Sequence, residues 1–251
     1  MCSSDLEQAA NGREGLDKAQ NLMPDLIVSD IMMPEMDGIE MTKALKEDIR
    51  TSHIPIVMLT AKTGNDNQLE GYESGADSYL TKPFSARLLQ GRIRNLLASQ
   101  RRMAEHIAQS SISWFANRSV VVPSEASPDE SLSHATNTPS LTKLDRQFLD
   151  KLHTLIADNM STEDLDIAFF TERLFMSHST LYRKVKALTG MNINEYVRKA
   201  KLQKALSMLQ SGDYNVTEVA SLTGFNNLGN FRNAFKREFG VTPSEMMRPK
   251  G

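Results

Sequence analysis

The stretch Asn192–Gln210, NINEYVRKAKLQKALSMLQ, decides how the second half of the chain is built. It opens on a capping-box pattern, Asn192 with Glu195 three residues on, and Gly212 follows its end. At about 100° per residue, Ile193, Tyr196, Val197 and Ala200 share one face. Leu202, Ala205, Leu206 and Leu209 share the opposite one, and Met208 alone returns to the first. The apolar stripe changes face halfway along. A helix packed on one core keeps one stripe, so this helix is expected to serve two small cores on opposite sides, one per end. Lys199, Lys201 and Lys204 in its middle argue against a helix buried all round, since lysines are rarely fully buried.

The flanks of this spine carry the same pattern twice. Before it, Leu141–Met160 reads as an amphipathic helix with Leu144, Phe148, Leu152, Leu155 and Ile156 on one face. Residues 165–175 read as a second helix. Met176 and Ser177 make a turn, with Ser177 or Ser179 as N-cap. Residues 179–188 form a third helix ending at Gly190, with Leu181, Val185 and Leu188 inward and Tyr182, Arg183, Lys184 and Lys186 projecting elsewhere. After the spine, Val216–Leu222 reads as a helix, GFNN as a turn and 228–239 as a last helix. Phe231, Phe235 and Phe239 are its expected core, and Asn230, Arg232, Asn233, Lys236 and Arg237 its exposed set.

A short helix, a tight turn and a basic helix make a helix-turn-helix pattern. Arg and Asn suit base edges, and Lys or Arg suits phosphates. A spine of this length spans about 28 Å. Readers at its two ends could enter successive major-groove faces about 34 Å apart. The residues also allow a plainer reading, two helical hairpins with solvated charges.

Residues 143–248 resemble the AraC/XylS-type DNA-binding domain. The matching pieces are MSHSTLYRKVKALTG, NEYVRKAKLQKA, VTEVASLTGFNN and NFRNAFKREFGVTPSE. The resemblance implies that Ser179, Tyr182 and Arg183 touch DNA through a first reader, with Lys186 beside them. Asn230 and Asn233 would do so through a second, with Arg232 and Lys236 beside them. Two departures bear on the second reader. Gly229 sits in its first turn and weakens it by up to about 1 kcal/mol relative to Ala. Asn233 stands where an arginine is frequent, with Arg232 next to it.

Composition bounds the whole. The chain has 251 residues, enough for two domains, and 40% apolar residues, enough for globular cores. No apolar run approaches the roughly 18–20 residues needed to cross a bilayer, so a soluble, cytoplasmic chain is expected. The single cysteine, Cys2, excludes an internal disulfide or a cysteine metal site. The net charge of −2 hides an asymmetry: residues 1–140 hold 13 Lys+Arg against 19 Asp+Glu, and residues 141–251 hold 16 against 12. An acidic half joined to a basic half fits a regulatory module beside a nucleic-acid binder.

In the first half, helix and strand signals alternate. Helices are expected at 13–22, 38–48, 65–74 and 85–108, the last continuing through RRMAEH. Strands are expected at Asp25–Ser29, Pro55–Leu59 and Ser78–Leu80. Such alternation predicts an α/β domain with a parallel sheet. Its chemistry would sit past the carboxyl ends of the strands, where Asp30, Thr60 and Lys82 fall. A carboxylate, a hydroxyl and an ammonium there make a phosphoryl-accepting site.

Residues 7–98 resemble the flavodoxin-like receiver domain of two-component response regulators, through SDIMMPEMDG, MLTAK and YLTKPF. The resemblance implies that Asp30 is the phosphoacceptor, that Thr60 and Lys82 contact the phosphoryl group, and that Tyr79 is the switch aromatic. It also implies a histidine kinase as donor, Mg²⁺ as cofactor, and dimerisation through the receiver. The family's opening strand, with its two acidic Mg²⁺ ligands and following helix, is not present. The chain enters near the second strand, at EQAANG, so the receiver is truncated and its metal site incomplete. Residues 1–6 match the in-frame translation of a sequencing-adapter end, and the natural chain is expected to run further upstream, with a kinase and a membrane sensor.

Residues 99–140 are expected to be a helix extension and then a Ser/Pro/Thr-rich flexible linker. Trp114 and Phe115 either dock on a neighbour or end the helix. No kinase ATP site or nucleophile–base set is visible, which argues against an enzyme. The chain reads as a DNA-binding regulator of a phosphorelay. Two other readings stay open: a constitutive DNA binder with an inert receiver remnant, and a phosphorelay module with DNA binding secondary.

Overall fold

The computed structural model describes residues 6–61, 75–117, 141–162 and 165–247. These form two units, 6–103 with 141–148, and 104–117 with 149–247. The helix expected at 65–74 and the linker expected at 119–140 lie outside the described residues.

The first unit is built on three parallel strands in the order β1 (Ile27–Asp30), β2 (Ile56–Thr60), β3 (Ser78–Thr81). Ile27 pairs with Ile56 and Asp30 with Leu59. Val57 pairs with Ser78 and Thr60 with Thr81. Helices α1 (Gly12–Leu22) and α2 (Gly38–Glu47) cover one face. Leu16, Ala19, Met41, Leu45, Ile56 and Met58 form the buried cluster there, with Ile27 and Tyr79 packed against it. On the other face of the sheet Val57 and Leu80 are buried. Burial on both faces of β2 explains its unbroken apolar run.

Local chemistry fixes the helix ends. Asn11 accepts from Glu14 N–H at 2.8 Å, and Asp37 and Glu40 form a complete capping box. Residues 7–9 are irregular and Asn11 already caps α1, and the described sheet ends at β1.

The end of the sheet far from Asp30 is tied by a mostly buried ion pair. Lys46 Nζ donates to Asp77 Oδ2 at 2.8 Å and to Ile54 O at 2.9 Å. The same carboxylate oxygen accepts from Ile56 N–H at 2.8 Å. Nearby, Ser52 Oγ donates to Asp145 Oδ1 at 2.7 Å.

Helix α3 (Ala86–Asn117) runs longer than the pattern through RRMAEH required. It is followed by α4 (Lys143–Asp158), α5 (Ile167–Leu174), α6 (His178–Thr189), α7 (Ile193–Ser211), α8 (Val216–Leu222), α9 (Leu228–Phe239) and α10 (Pro243–Met246). Ser177 is the N-cap of α6 and Asn192 that of α7. Asn192 accepts from Glu195 N–H at 2.9 Å.

The spine α7 changes its buried face as its sequence implies. Ile193, Tyr196, Val197 and Ala200 are buried in its first half. Leu202, Ala205 and Leu209 join Val219, Ala220, Phe231 and Phe235 in a second cluster, and Met208 packs against that cluster too. Phe239 packs on it only partly buried.

Two lysines correct the sequence reading. Lys184 is fully buried in α6 rather than projecting, and Lys201 is only 5% exposed at the point where the stripe switches. Lys201 Nζ donates to Thr162 O at 2.7 Å and reaches Gly224 O at 3.5 Å. Its apolar stem packs inside while carbonyls from both halves of the unit solvate the ammonium. Gly224 has a left-handed φ of 69°, and a Cβ there would stand 2.7 Å from Lys201 Nζ and 2.8 Å from Thr162 O.

His153 on α4 lies 2.6 Å, Nε2 to hydroxyl, from Tyr196 of the spine. Burial pulls the His153 imidazole down from 6.5 to about 4, against the opposing charge of Asp150. Burial raises the Tyr196 phenol, opposed by a hydrogen bond from Ser111. The unfolded chain takes up a proton on His153 between about pH 6.5 and 4, and the folded chain does not. The stability this ring contributes is therefore complete above about pH 6.5. It is lost as pH falls toward 4, by up to about 3 kcal/mol. Urea unfolding at pH 7.5 and pH 5 should show a larger loss for the wild-type chain than for His153→Gln; equal losses would contradict this.

Candidate functional site

The residues singled out above fall into two sets. At the carboxyl end of the sheet, Asp30 closes β1, Thr60 closes β2 and Lys82 follows β3. Lys82 N–H donates to Thr60 O at 2.7 Å, which holds the two residues side by side. Lys82 Nζ donates to Asp30 Oδ2, and both side chains are more than a third exposed. The backbone here leaves little room. A Cβ on Gly38 would lie 2.1 Å from Asp30 O, so the chain can turn this closely past Asp30 only with glycine. Glu35 adopts a left-handed φ of 66° in the same loop. Tyr79 pairs with Met58 in β2. Alternation puts it on the same face of the sheet as Thr60. The arrangement offers a solvent-reachable carboxylate beside an ammonium and a hydroxyl.

The second set is divided between two helices, α6 and α9. On α6, Ser179, Tyr182, Arg183 and Lys186 are exposed, while Leu181, Val185 and Leu188 are buried. Ser179 Oγ lies 3.1 Å from the capping hydroxyl of Ser177. Lys186 Nζ stands 5.8 Å from the Tyr182 ring centroid. On α9, Asn230, Arg232, Asn233, Lys236 and Arg237 are exposed around the buried Phe231 and Phe235. Asn227 caps this helix by accepting from Asn230 N–H at 2.9 Å. The Gly229 of its first turn has Asn227 Oδ1 3.0 Å from where a Cβ would stand.

Sequence reasoning did not single out Asn194, Arg198 and Asn227. A concavity between the spine and α9 brings them beside Asn230. Asn194, Arg198 and Asn227 stand next to other polar residues, Glu195, Lys199 and Asn226, so nothing local marks them.

Comparison with known proteins finds relatives for both halves of the chain. A response regulator of Synechocystis sp. is 31% identical over 183 residues, covering 70% of this chain and 79% of that protein. The chain belongs to the response regulators. Within this response regulator, residues 3–94 match the response regulator receiver domain family. Residues 170–249 match a helix-turn-helix domain family, of the AraC type. Neither is an enzyme family. A histidine kinase of Formosa agariphila is 34% identical over 238 residues, 95% of this chain but only 16% of that protein. The crystal structure of a receiver domain of a signal transduction histidine kinase from Syntrophus aciditrophicus is 35% identical. It covers 38% of this chain and 71% of that one, with a TM-score of 0.36.

Receivers generally use Mg²⁺, and the residues of this response regulator can be tested for it. Magnesium takes an oxygen shell that includes carboxylates. Among the described residues no group of three or more His, Cys, Asp or Glu side chains could hold a metal ion. Lys82 already donates to the Asp30 carboxylate. The residues described do not fit a magnesium site by themselves. Among the described residues, no helix is long and apolar enough to cross a membrane.

Proposed function

We propose that this response regulator reads DNA through two helix-turn-helix units, α5–α6 and α8–α9, spaced by the spine α7. The observation that carries this reading is the spine's change of buried face. It hangs α9 and its cluster on the second half of the helix, while α6 contacts the same helix. Each of α6 and α9 then turns a row of amides, hydroxyls and cations to solvent. Ser179, Tyr182 and Arg183 in the first reader, and Asn230 and Asn233 in the second, are the base-edge candidates. Lys186, Arg232 and Lys236 are the phosphate candidates. Arg183→Ala should weaken binding to a specific site by roughly 1–3 kcal/mol and relax its preference at one base pair. Unchanged affinity and preference in fluorescence anisotropy would remove Arg183 from the reader.

Control runs through Asp30 in the same reading. A histidine kinase donates the phosphoryl group, Lys82 and Thr60 contact it, and Tyr79 reports it to the face of β3. Phosphorylation then favours pairing of receivers and raises the effective concentration of their DNA-binding units on tandem sites. The receiver and its partners work in the cytoplasm.

For this chain as it stands, the poor fit to magnesium favours a second reading, a DNA binder whose receiver responds weakly. Acetyl phosphate with Mg²⁺ should therefore label it little on a phosphate-affinity gel, and footprints should be indifferent to the donor. Strong labelling that Asp30→Asn abolishes would contradict that second reading and support direct phosphorylation of the chain.

A further inference from the structure

The last turns of α3 carry a buried stripe that no functional reading above uses. Ala104, Ile107, Ala108, Ser111 and Phe115 recur at helical spacing, and each is at most 8% exposed. These residues cluster with the DNA-binding unit, although the helix begins at Ala86. Phe115 meets the His153 ring edge-on with centroids 5.5 Å apart, and the Tyr196 ring at 6.5 Å. Trp114 lies against His153 at 5.5 Å. Ser111 hydrogen-bonds the Tyr196 hydroxyl, and that hydroxyl lies 2.6 Å from His153 Nε2. Tyr196 itself is fully buried in the first turn of the spine.

We propose that Ser111, Trp114 and Phe115 are positioning residues for DNA binding: they clamp His153 and Tyr196 and so set the first half of the spine, beside the first reader. The inference rests on the two-reader reading for its effect on DNA, though not for its effect on the spine. Ser111, the Tyr196 hydroxyl and His153 Nε2 make one continuous hydrogen-bonded chain. That chain of hydrogen bonds fixes the ring at one rotamer while Phe115 closes the apolar side. A residue on α3 thereby becomes part of the support of a reader more than sixty positions further along the chain. The second cluster, on Leu202, Ala205 and Leu209, contains no residue of α3, so the clamp acts on one reader only.

The full-length chain carrying Phe115→Ala tests this, with Phe115→Leu as the conservative partner and Trp114→Ala as a milder variant should Phe115→Ala fail to fold. Amide hydrogen exchange is expected to rise in Ile193–Ala200 and to stay unchanged in Leu202–Leu209. On a selected duplex the footprint should thin over the block read by α6, by about tenfold in affinity, and persist over the block read by α9. Phe115→Leu should restore both. Unchanged exchange in Ile193–Ala200 would overturn the clamp, as would a uniform rise along the whole spine with loss of both blocks. If the wild-type chain protects no two-block site, the two-reader reading fails, while the exchange data still decide whether the clamp exists.

Discussion

Lys201→Pro is expected to cost the DNA-binding unit about 3 kcal/mol or more and to abolish binding to a two-block site. Proline removes the backbone donor in the middle of α7, and its ring clashes with the carbonyl four residues earlier. Position 201 adds a second loss. The Lys201 ammonium holds Thr162 O at 2.7 Å, next to the turn in which Gly224 sits. The two apolar clusters of the unit meet the spine on either side of this residue. Lys201→Met separates the contributions, because it keeps the helix and most of the buried stem. It should cost roughly 1–3 kcal/mol, the range for leaving buried acceptors without their donor. Urea unfolding followed by circular dichroism measures both. A Lys201→Met variant as stable as the wild type would show that the ammonium contributes nothing, and a Lys201→Pro variant with intact binding would show that the spine is no ruler.

Lys46→Ala is expected to destabilise the first unit by about 3 kcal/mol. Lys46 and Asp77 are 12% and 17% exposed and pair at 2.8 Å, so removing the cation leaves a largely desolvated carboxylate behind. That carboxylate also accepts from Ile56 N–H, at the start of the central strand. The damage should therefore spread through β2 into the packing of Ile56 and Met58. Differential scanning calorimetry should show the transition of the receiver unit moving down while that of the DNA-binding unit stays. Lys46→Met with Asp77→Leu should recover part of the loss, since both charges are then gone. A single transition that does not move would contradict the buried-pair account.

Much of this architecture was legible because its signals are local. The helix Val216–Leu222 begins at Asn215, whose side chain and that of Glu218 make a full capping box. The turn after it carries the glycine that its left-handed φ requires. The strands of the first unit lie within one or two residues of the apolar runs that announced them. Asp30, Thr60 and Lys82 could be placed together because a parallel sheet brings all strand ends to one edge.

What stayed hidden depends on partners far away in the chain. Lys184 and Lys201 read as solvent-facing, since a lysine in sequence shows its charge and not what will pack around it. The acceptor of Lys201 lies 39 residues earlier. Ser52 and Asp145, 93 residues apart, gave no sign of their hydrogen bond. The extension of α3 to Asn117 had no stop signal to mark its end, and the role of Phe115 emerges only from rings on α4 and α7.

We propose that one rigid spine spaces two DNA readers. Selection of bound duplexes from a random pool by the wild-type chain, followed by sequencing, tests it most directly. Enriched sites should carry two conserved blocks at one fixed spacing, about 10–10.5 base pairs centre to centre, and binding should be lost when five base pairs are inserted between them. A single conserved block, or two blocks that tolerate the insertion, would contradict it.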